Sequence, residues 1–370
     1  MKISITFYVT HFLVFVLFIS GLFADLPFIQ NNKYPNGPQK DWNQRQFKKY
    51  YRWIERHSNR TADSDDQILR RQDAIISGNK ITTQIWNYGS ISEPGNRVTD
   101  IVWEGLGYGY EFGPFICAEV PLASNSHPDA YPKVVGGDTT WFARIISDGL
   151  VTDPERSPDG SEYWTWEPLA YSDEGIYFAD PNYDKIPTAS DIDRDFDGKP
   201  DSWAYDWYNA NLKEYVWPGD LRQGASNADE EAFFVCDDRN NKEFEYYPFP
   251  EDSARKGLGS QIEYRYYQWA NPLAEDIIFL IYKITNKSSK DLNEVTFGMW
   301  GDPHIGGPSD WSDDLSYFDH DINMVYCWDE DGSASGSANN PGYFGYKFLE
   351  SPGNPYDQLD NDDDGMVDES

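Results

Sequence analysis

Residues 261–300 constrain the fold more than any other part of the chain. In "QIEYRYYQW" (261–269), Ile262, Tyr264 and Tyr266 alternate with Glu263, Arg265 and Tyr267. A period of two belongs to a strand with one buried face; a helix would repeat every 3.6 residues. "IIFLIYKITN" (277–286) is a β-branched and aromatic run that turns polar only towards its end. "KSSKDLN" supplies a turn, and "EVTFGMW" (294–300) alternates again, with Val295, Phe297 and Met299 on one side. Three such runs joined by short loops predict an antiparallel meander forming half of a sandwich.

Most of the chain reads the same way. "KITTQIWNYG" (80–89), "VTDIVWEG" (98–105), "YGYEFGPFICAEV" (108–120) and "WFARIISDG" (141–149) are short β-type runs bounded by Gly, Pro, Asn or Asp. "MVYCW" (324–328) and "YFGYKFLE" (343–350) are later strands of the same kind. The expected fold is mainly β: antiparallel β-sandwich domains with long aromatic and Asp-rich loops, and little helix. One short amphipathic helix is predicted over 41–57, where Phe47, Tyr50, Tyr51 and Ile54 recur at helical spacing among Lys and Arg. As the one basic patch of an acidic chain, it is expected to clamp onto the protein's own body, the alternative being a membrane-surface helix beside the signal.

The N-terminus has the form of an export signal. Lys2 precedes an apolar stretch over 3–23, and Ala24 offers a small residue for cleavage. An uncleaved signal would instead act as a membrane anchor, because the stretch approaches spanning length. The expected organisation is a signal over 1–24, a lead-in with the helix over 25–75, a β-rich domain over 76–230, an antiparallel sandwich over 231–352, and a final Asp-loop segment over 353–370. The predicted location is secreted or on the outer cell surface.

Charge bounds the partners. The chain carries 63 acidic against 30 basic residues, for a net charge of −33. Such a balance argues against nucleic acid, whose phosphates need Lys and Arg, and favours cations. Aromatics at 16% mark a folded chain rather than a disordered acidic one. Cys117, Cys236 and Cys327 lie too far apart for a zinc pattern and read as small buried hydrophobes.

Against this background, "DIDRDFDGKPDSW" (191–203) stands out. Asp191, Asp193, Asp195 and Asp197 occupy alternate positions, Gly198 follows, and Asp201 closes the set. Left to themselves these carboxylates repel. A hard divalent cation reverses that energy, and Ca²⁺ accepts six to eight oxygens in flexible geometry. The loop is not an EF-hand, because Ala204 stands where the closing bidentate Glu would be. Near the C-terminus the pattern returns in Asp360, Asp362, Asp364, Gly365 and Asp368. The competing reading of both loops is an Asp-rich turn held by Asx hydrogen bonds. "DWSDDLSYFDHD" (310–321) is acidic without regular spacing and reads as a solvated loop.

Other motifs carry less. "GLGYG" (105–109) lacks a following helix and a P-loop lysine, so its glycines read as strand kinks. His304 and His320 lack the spacing of a zinc site. Neither G-x-S-x-G nor H-E-x-x-H occurs, so no catalytic residues are assigned. Trp164, Trp166 and Trp207, in the aromatic-rich 160–220 segment, are candidate platforms for sugar rings, although core packing is the commoner role of such residues.

The D-x-D-x-D-G-x-x-D spacing resembles the calcium loops of thrombospondin type 3 repeats, which wrap ions without helices. With the export signal, "QWANPLAEDIIFLIYKITN" and "MWGDPHIGG", the chain resembles exported β-rich surface proteins of Gram-negative environmental bacteria. The resemblance spans most of 75–370 and implies no enzymatic activity. Such proteins often continue into further modules and a C-terminal sorting domain, so a chain ending inside an Asp loop is expected to be an incomplete gene product. The function expected is that of a calcium-stabilised structural or adhesive protein meeting surface glycans or other envelope proteins. The alternative is a carbohydrate-active protein, a glycan-binding module or hydrolase, that uses the 160–220 segment.

Overall fold

The computed structural model describes residues 71–349, except 93–97, 99, 126, 150–155, 163, 170–185, 205–206 and 335–340. The signal, the 41–57 helix and the 353–370 segment lie outside the described residues. The chain divides into two compact units, 1–61 and 62–370, and every described residue belongs to the second. Among the described residues there is no α-helix, and no helix long and apolar enough to cross a membrane.

The first sheet begins with β1 (Asp73–Ile76), β2 (Ile81–Trp86), β3 (Ile101–Trp103), β4 (Leu106–Leu122), β5 (Tyr131–Val135) and β6 (Asp138–Asp148), in the order β1-β2-β3-β4-β6-β5. A second sheet has the order β12-β11-β10-β7 and is built from β7 (Glu167–Pro168), β10 (Glu230–Asp237), β11 (Ser260–Gln268) and β12 (Phe279–Asn286). Between β7 and β10 in sequence lies a small ribbon of β8 (Tyr208–Asn209) and β9 (Glu214–Tyr215). β13 (Asn293–Pro303) then pairs with β4 and becomes the seventh strand of the first sheet. β14 (Asp314–Asp319), β15 (Met324–Asp329) and β16 (Phe344–Lys347) form a three-stranded sheet. All pairings are antiparallel.

The two large sheets share one core, the arrangement of a sandwich. Ile85, Phe112, Ile116, Ala118 and Ile145 of the first sheet join Phe234, Ile262, Tyr264 and Tyr266 of the second. Tyr282 of β12 meets Phe297 of β13 across the layers, with ring centroids 5.3 Å apart. The alternation predicted for 261–269 holds: Ile262, Tyr264 and Tyr266 enter this core, while Glu263 and Arg265 face the other way and ion-pair there.

Two expectations are corrected. The runs over 261–300 do not form one meander, because β13 leaves β12 and crosses to β4. β13, from the 231–352 segment, thereby completes the sheet that holds β2 to β6 of the 76–230 segment. The reason lies in β4, whose pairing with β13 over Gly109–Glu119 overlaps residues already paired with β3 and β6, so β13 takes the edge of β4 that those two strands leave open. A bulge between Asn293 and Thr296, with Glu294 at φ 49°, also takes Val295 off the predicted face; it is exposed, while Phe297 and Met299 pack on the core.

A second apolar layer lies on the outer face of β10. Along this strand Ala232, Phe234 and Cys236 enter the main core, and Phe233 and Val235 point away from it. These two are covered by Leu169, Trp203, Ala204, Trp207 and Trp217. The aromatic-rich loop is therefore the lid of an apolar sheet face. The cysteines are free thiols, with Cys236 and Cys327 buried.

Candidate metal sites

Among the described residues, two trios of aspartates bring carboxylate oxygens within 4.8 Å of one another: Asp193, Asp195 and Asp197, and Asp310, Asp313 and Asp329. Both sets offer only hard oxygen donors, which suit a hard divalent cation.

The first trio is built by local backbone bonding. Asp193 accepts the amides of Asp197 (3.2 Å) and Gly198 (2.8 Å), and Asp197 accepts that of Lys199 (2.9 Å). These are the Asx turns of the competing reading, and they coexist with convergence, because an ionised carboxylate has about four acceptor sites. Phe196 at φ 62° and Gly198 at φ 93° turn the chain so that alternate carboxylates share one side. Burial raises the Asp197 carboxyl above its usual range, against the Lys199 amide, and the charges of Asp195 and Asp193 add to the rise.

Asp191 and Asp201 depart from the predicted ligand set. Arg194 Nη1 lies 2.7 Å from Asp191 Oδ1 and 3.0 Å from Asp201 Oδ2. Asp191 Oδ2 also accepts the Ser202 amide at 2.7 Å, and Asp201 Oδ1 the Arg194 amide at 3.1 Å. Burial works against the charge on Asp191, but Ser202 and Arg194 hold its carboxyl below the usual range. These two aspartates close the base of the loop through an arginine instead of joining the trio. Lys199, itself buried, locks the same base by donating from Nζ to the carbonyls of Pro200, Asp201 and Trp203 at 3.1, 3.0 and 2.9 Å. Trp203 and its neighbours then seat the loop on β10. Asp360, Asp362, Asp364 and Asp368 lie outside the described residues.

The second trio draws two of its members from the 310–321 segment, read from the sequence as a solvated loop. Asp310 and Asp313 are brought to Asp329, sixteen residues beyond Asp313, by the pairing of β14 with β15. Burial pushes the adjacent Asp314 carboxyl up to about 6; the Ile305 amide opposes the rise, and Asp329 and Asp313 add to it. Asp319 accepts the Asp321 amide at 3.0 Å and takes no part in the trio. Asp329 escaped the sequence reading because its carboxylate is isolated in sequence from the others. The signal that could have found it is the register of two β-type runs facing each other across a turn.

Of the three candidate sugar platforms, two are buried. Trp166 is fully buried, with Nε1 donating to Ser147 Oγ at 2.8 Å, and Trp207 lies within the tryptophan layer, 5.4 Å from Trp217. Neither presents a ring face to solvent, and Trp164 is half-buried. His304 is a packed histidine: its Nδ1 lies 3.1 Å from Asp100 Oδ1, and its ring sits 4.6 Å from that of Tyr110.

In comparisons with known proteins, no family model, no curated protein and no solved structure matches the chain.

Proposed function

We propose that this protein is a calcium-stabilised structural or adhesive β-sandwich of the cell exterior. The observation that carries the reading is the convergence of Asp193, Asp195 and Asp197 in a loop already shaped by its own backbone amides. Bound there, Ca²⁺ would offset most of the trio's negative charge and fix the loop on the tryptophan layer. The ion then orders a segment with little regular secondary structure, which hydrophobic spacing alone specifies poorly. Export and surface exposure rest on the signal-like 1–24 stretch and on the resemblance to exported β-rich proteins. The net charge of −33 supports cation binding and argues against nucleic acid. Surface glycans or other envelope proteins are the proposed contacts.

The test is a thermal melt of the full chain in EDTA and in millimolar calcium. A ligand at about 100 times its Kd, bound only by the folded state, adds about 2.7 kcal/mol. For a folded unit of about 300 residues that is a rise of roughly 4 °C. The variant Asp195→Asn/Asp197→Asn should lose the part of the rise that belongs to the loop. Identical melting curves with and without calcium would overturn the reading.

A further inference from the structure

The second aspartate trio lies at a seam between sheets. After β13 the chain turns through Gly306 and Gly307 and returns as β14. His304 N donates to Tyr108 O at 3.0 Å and Gly306 N to Gly107 O at 3.0 Å, so this turn is held against the start of β4. Ile305 N reaches Asp314 Oδ2 at 2.9 Å. Beneath the turn, Tyr108, Ile305 and Cys327 form a small core of their own. Gly306 has φ 94°, and a Cβ there would stand 2.7 Å from Asp310 Oδ2, so the Asp310 carboxylate lies directly on the turn.

Two features of the seam are unfavourable as they stand. Asp314 and Asp329 are register partners across the β14–β15 pairing, and like charges placed opposite each other destabilise a sheet. In addition, Asp329 is only 6% exposed. Its Oδ1 accepts the amides of Gly332 and Ser333, while its buried Oδ2 accepts nothing. The Oδ1 of Asp314 is buried and unpartnered in the same way. A buried carboxylate oxygen without a partner is costly, and a protein retains one where a ligand satisfies it.

We propose that Asp310, Asp313 and Asp329, with Asp314 beside them, form a second divalent-cation site that clamps the β14–β15 hairpin to the turn after β13. The donor set is oxygen only, which selects a hard cation, and its irregular origin in a turn and two strands suits the flexible coordination of Ca²⁺ better than the strict octahedron of Mg²⁺. The cation satisfies the orphaned oxygen of Asp329 and turns the repulsion between Asp314 and Asp329 into attraction. It fastens the three-stranded sheet to the seven-stranded one at the turn after β13, beside the small cluster of Tyr108, Ile305 and Cys327. The site does not depend on the 193–197 loop.

Calorimetric titration of the chelator-stripped full chain with calcium chloride tests the site, comparing the natural protein with Asp313→Asn, Asp329→Asn and Asp193→Asn/Asp195→Asn. Asp313 is half-buried and Asn keeps its size, so Asp313→Asn is expected to fold and decides the matter even if Asp329→Asn does not. Loss of a ligand should weaken one binding event by at least about tenfold, the lower end of what changes around a metal cost. The Asp193→Asn/Asp195→Asn variant should keep that event and lose a different one. Unchanged calcium stoichiometry and affinity in Asp313→Asn would overturn the proposal. Loss of binding in Asp193→Asn/Asp195→Asn alone would overturn it too, while leaving the calcium-loop reading intact.

Discussion

Asp314 and Asp329 stand opposite each other in adjacent antiparallel strands, each with one buried carboxylate oxygen that accepts no hydrogen bond. Without a cation this pair opposes the hairpin it belongs to. Replacing Asp314 with Asn removes the repulsion and keeps an oxygen for the Ile305 amide. In EDTA at pH 8, Asp314→Asn should therefore stabilise the protein by roughly 0.2–1 kcal/mol, the scale of a cross-strand pair. In millimolar calcium the order should reverse. Urea midpoints in the two conditions check both signs, and a variant less stable in EDTA would refute the account.

Trp217 holds the outer layer together. It is 2% exposed and packs 5.3 Å from Trp203, 5.4 Å from Trp207 and 6.4 Å from Phe233. Trp217→Ala should cost about 3–5 kcal/mol, as large buried aromatics do. Trp217→Phe should cost less, because the indole N–H has no partner to lose. Chemical denaturation gives the ordering, and equal losses in the two variants would contradict it.

Under the same lid, Arg265 pairs with Glu231 at 2.8 Å, with the two side chains 7% and 1% exposed. Arg265 also donates to Pro218 O at 2.7 Å and stacks 4.1 Å above Phe233. Arg265→Met leaves Glu231 buried without its counter-charge and should cost about 3–5 kcal/mol. Arg265→Met/Glu231→Leu should be more stable than Arg265→Met alone. A double-mutant cycle with strictly additive losses would show that the pair does not act as a unit.

Asp238 makes stability depend on pH. Its carboxylate accepts the amides of Leu258, Gly259 and Ser260 and the hydroxyl of Ser147, yet burial outweighs these donors and pushes it up to about 7. In the unfolded chain an aspartate titrates near 3.9. The folded protein thus holds this proton more tightly, and the stability it contributes is full below about pH 4 and lost as pH rises through about 7. Asp238→Asn cannot ionise. The drop in urea midpoint from pH 5 to pH 8 should be smaller in that variant than in the natural protein, and an equal drop would remove Asp238 from the account.

Legibility followed the physics of each segment. Strands with one buried face, such as β11, announce themselves by alternation. β10 did not, because "EEAFFVCD" is apolar on both sides: one side enters the main core and the other lies under the tryptophans. Runs of that kind carry no period of two. The exposed β5, with Pro132 in it, was equally silent.

The sequence by itself determined that this chain builds antiparallel β layers, and that Asp193, Asp195 and Asp197 share one side of a loop. Both follow from rules acting over a few residues: the pleat and the Asx turn. Only the tertiary structure decided that β13 leaves its neighbour for β4, that Arg194 takes Asp191 and Asp201, that Trp166 and Trp207 are buried, and that Asp329 meets Asp310 and Asp313. Most of these outcomes join residues remote in sequence, and the Arg194 contact turns on how the loop's base closes. Local spacing says which way a side chain points from its own strand; it does not say what waits on the other side.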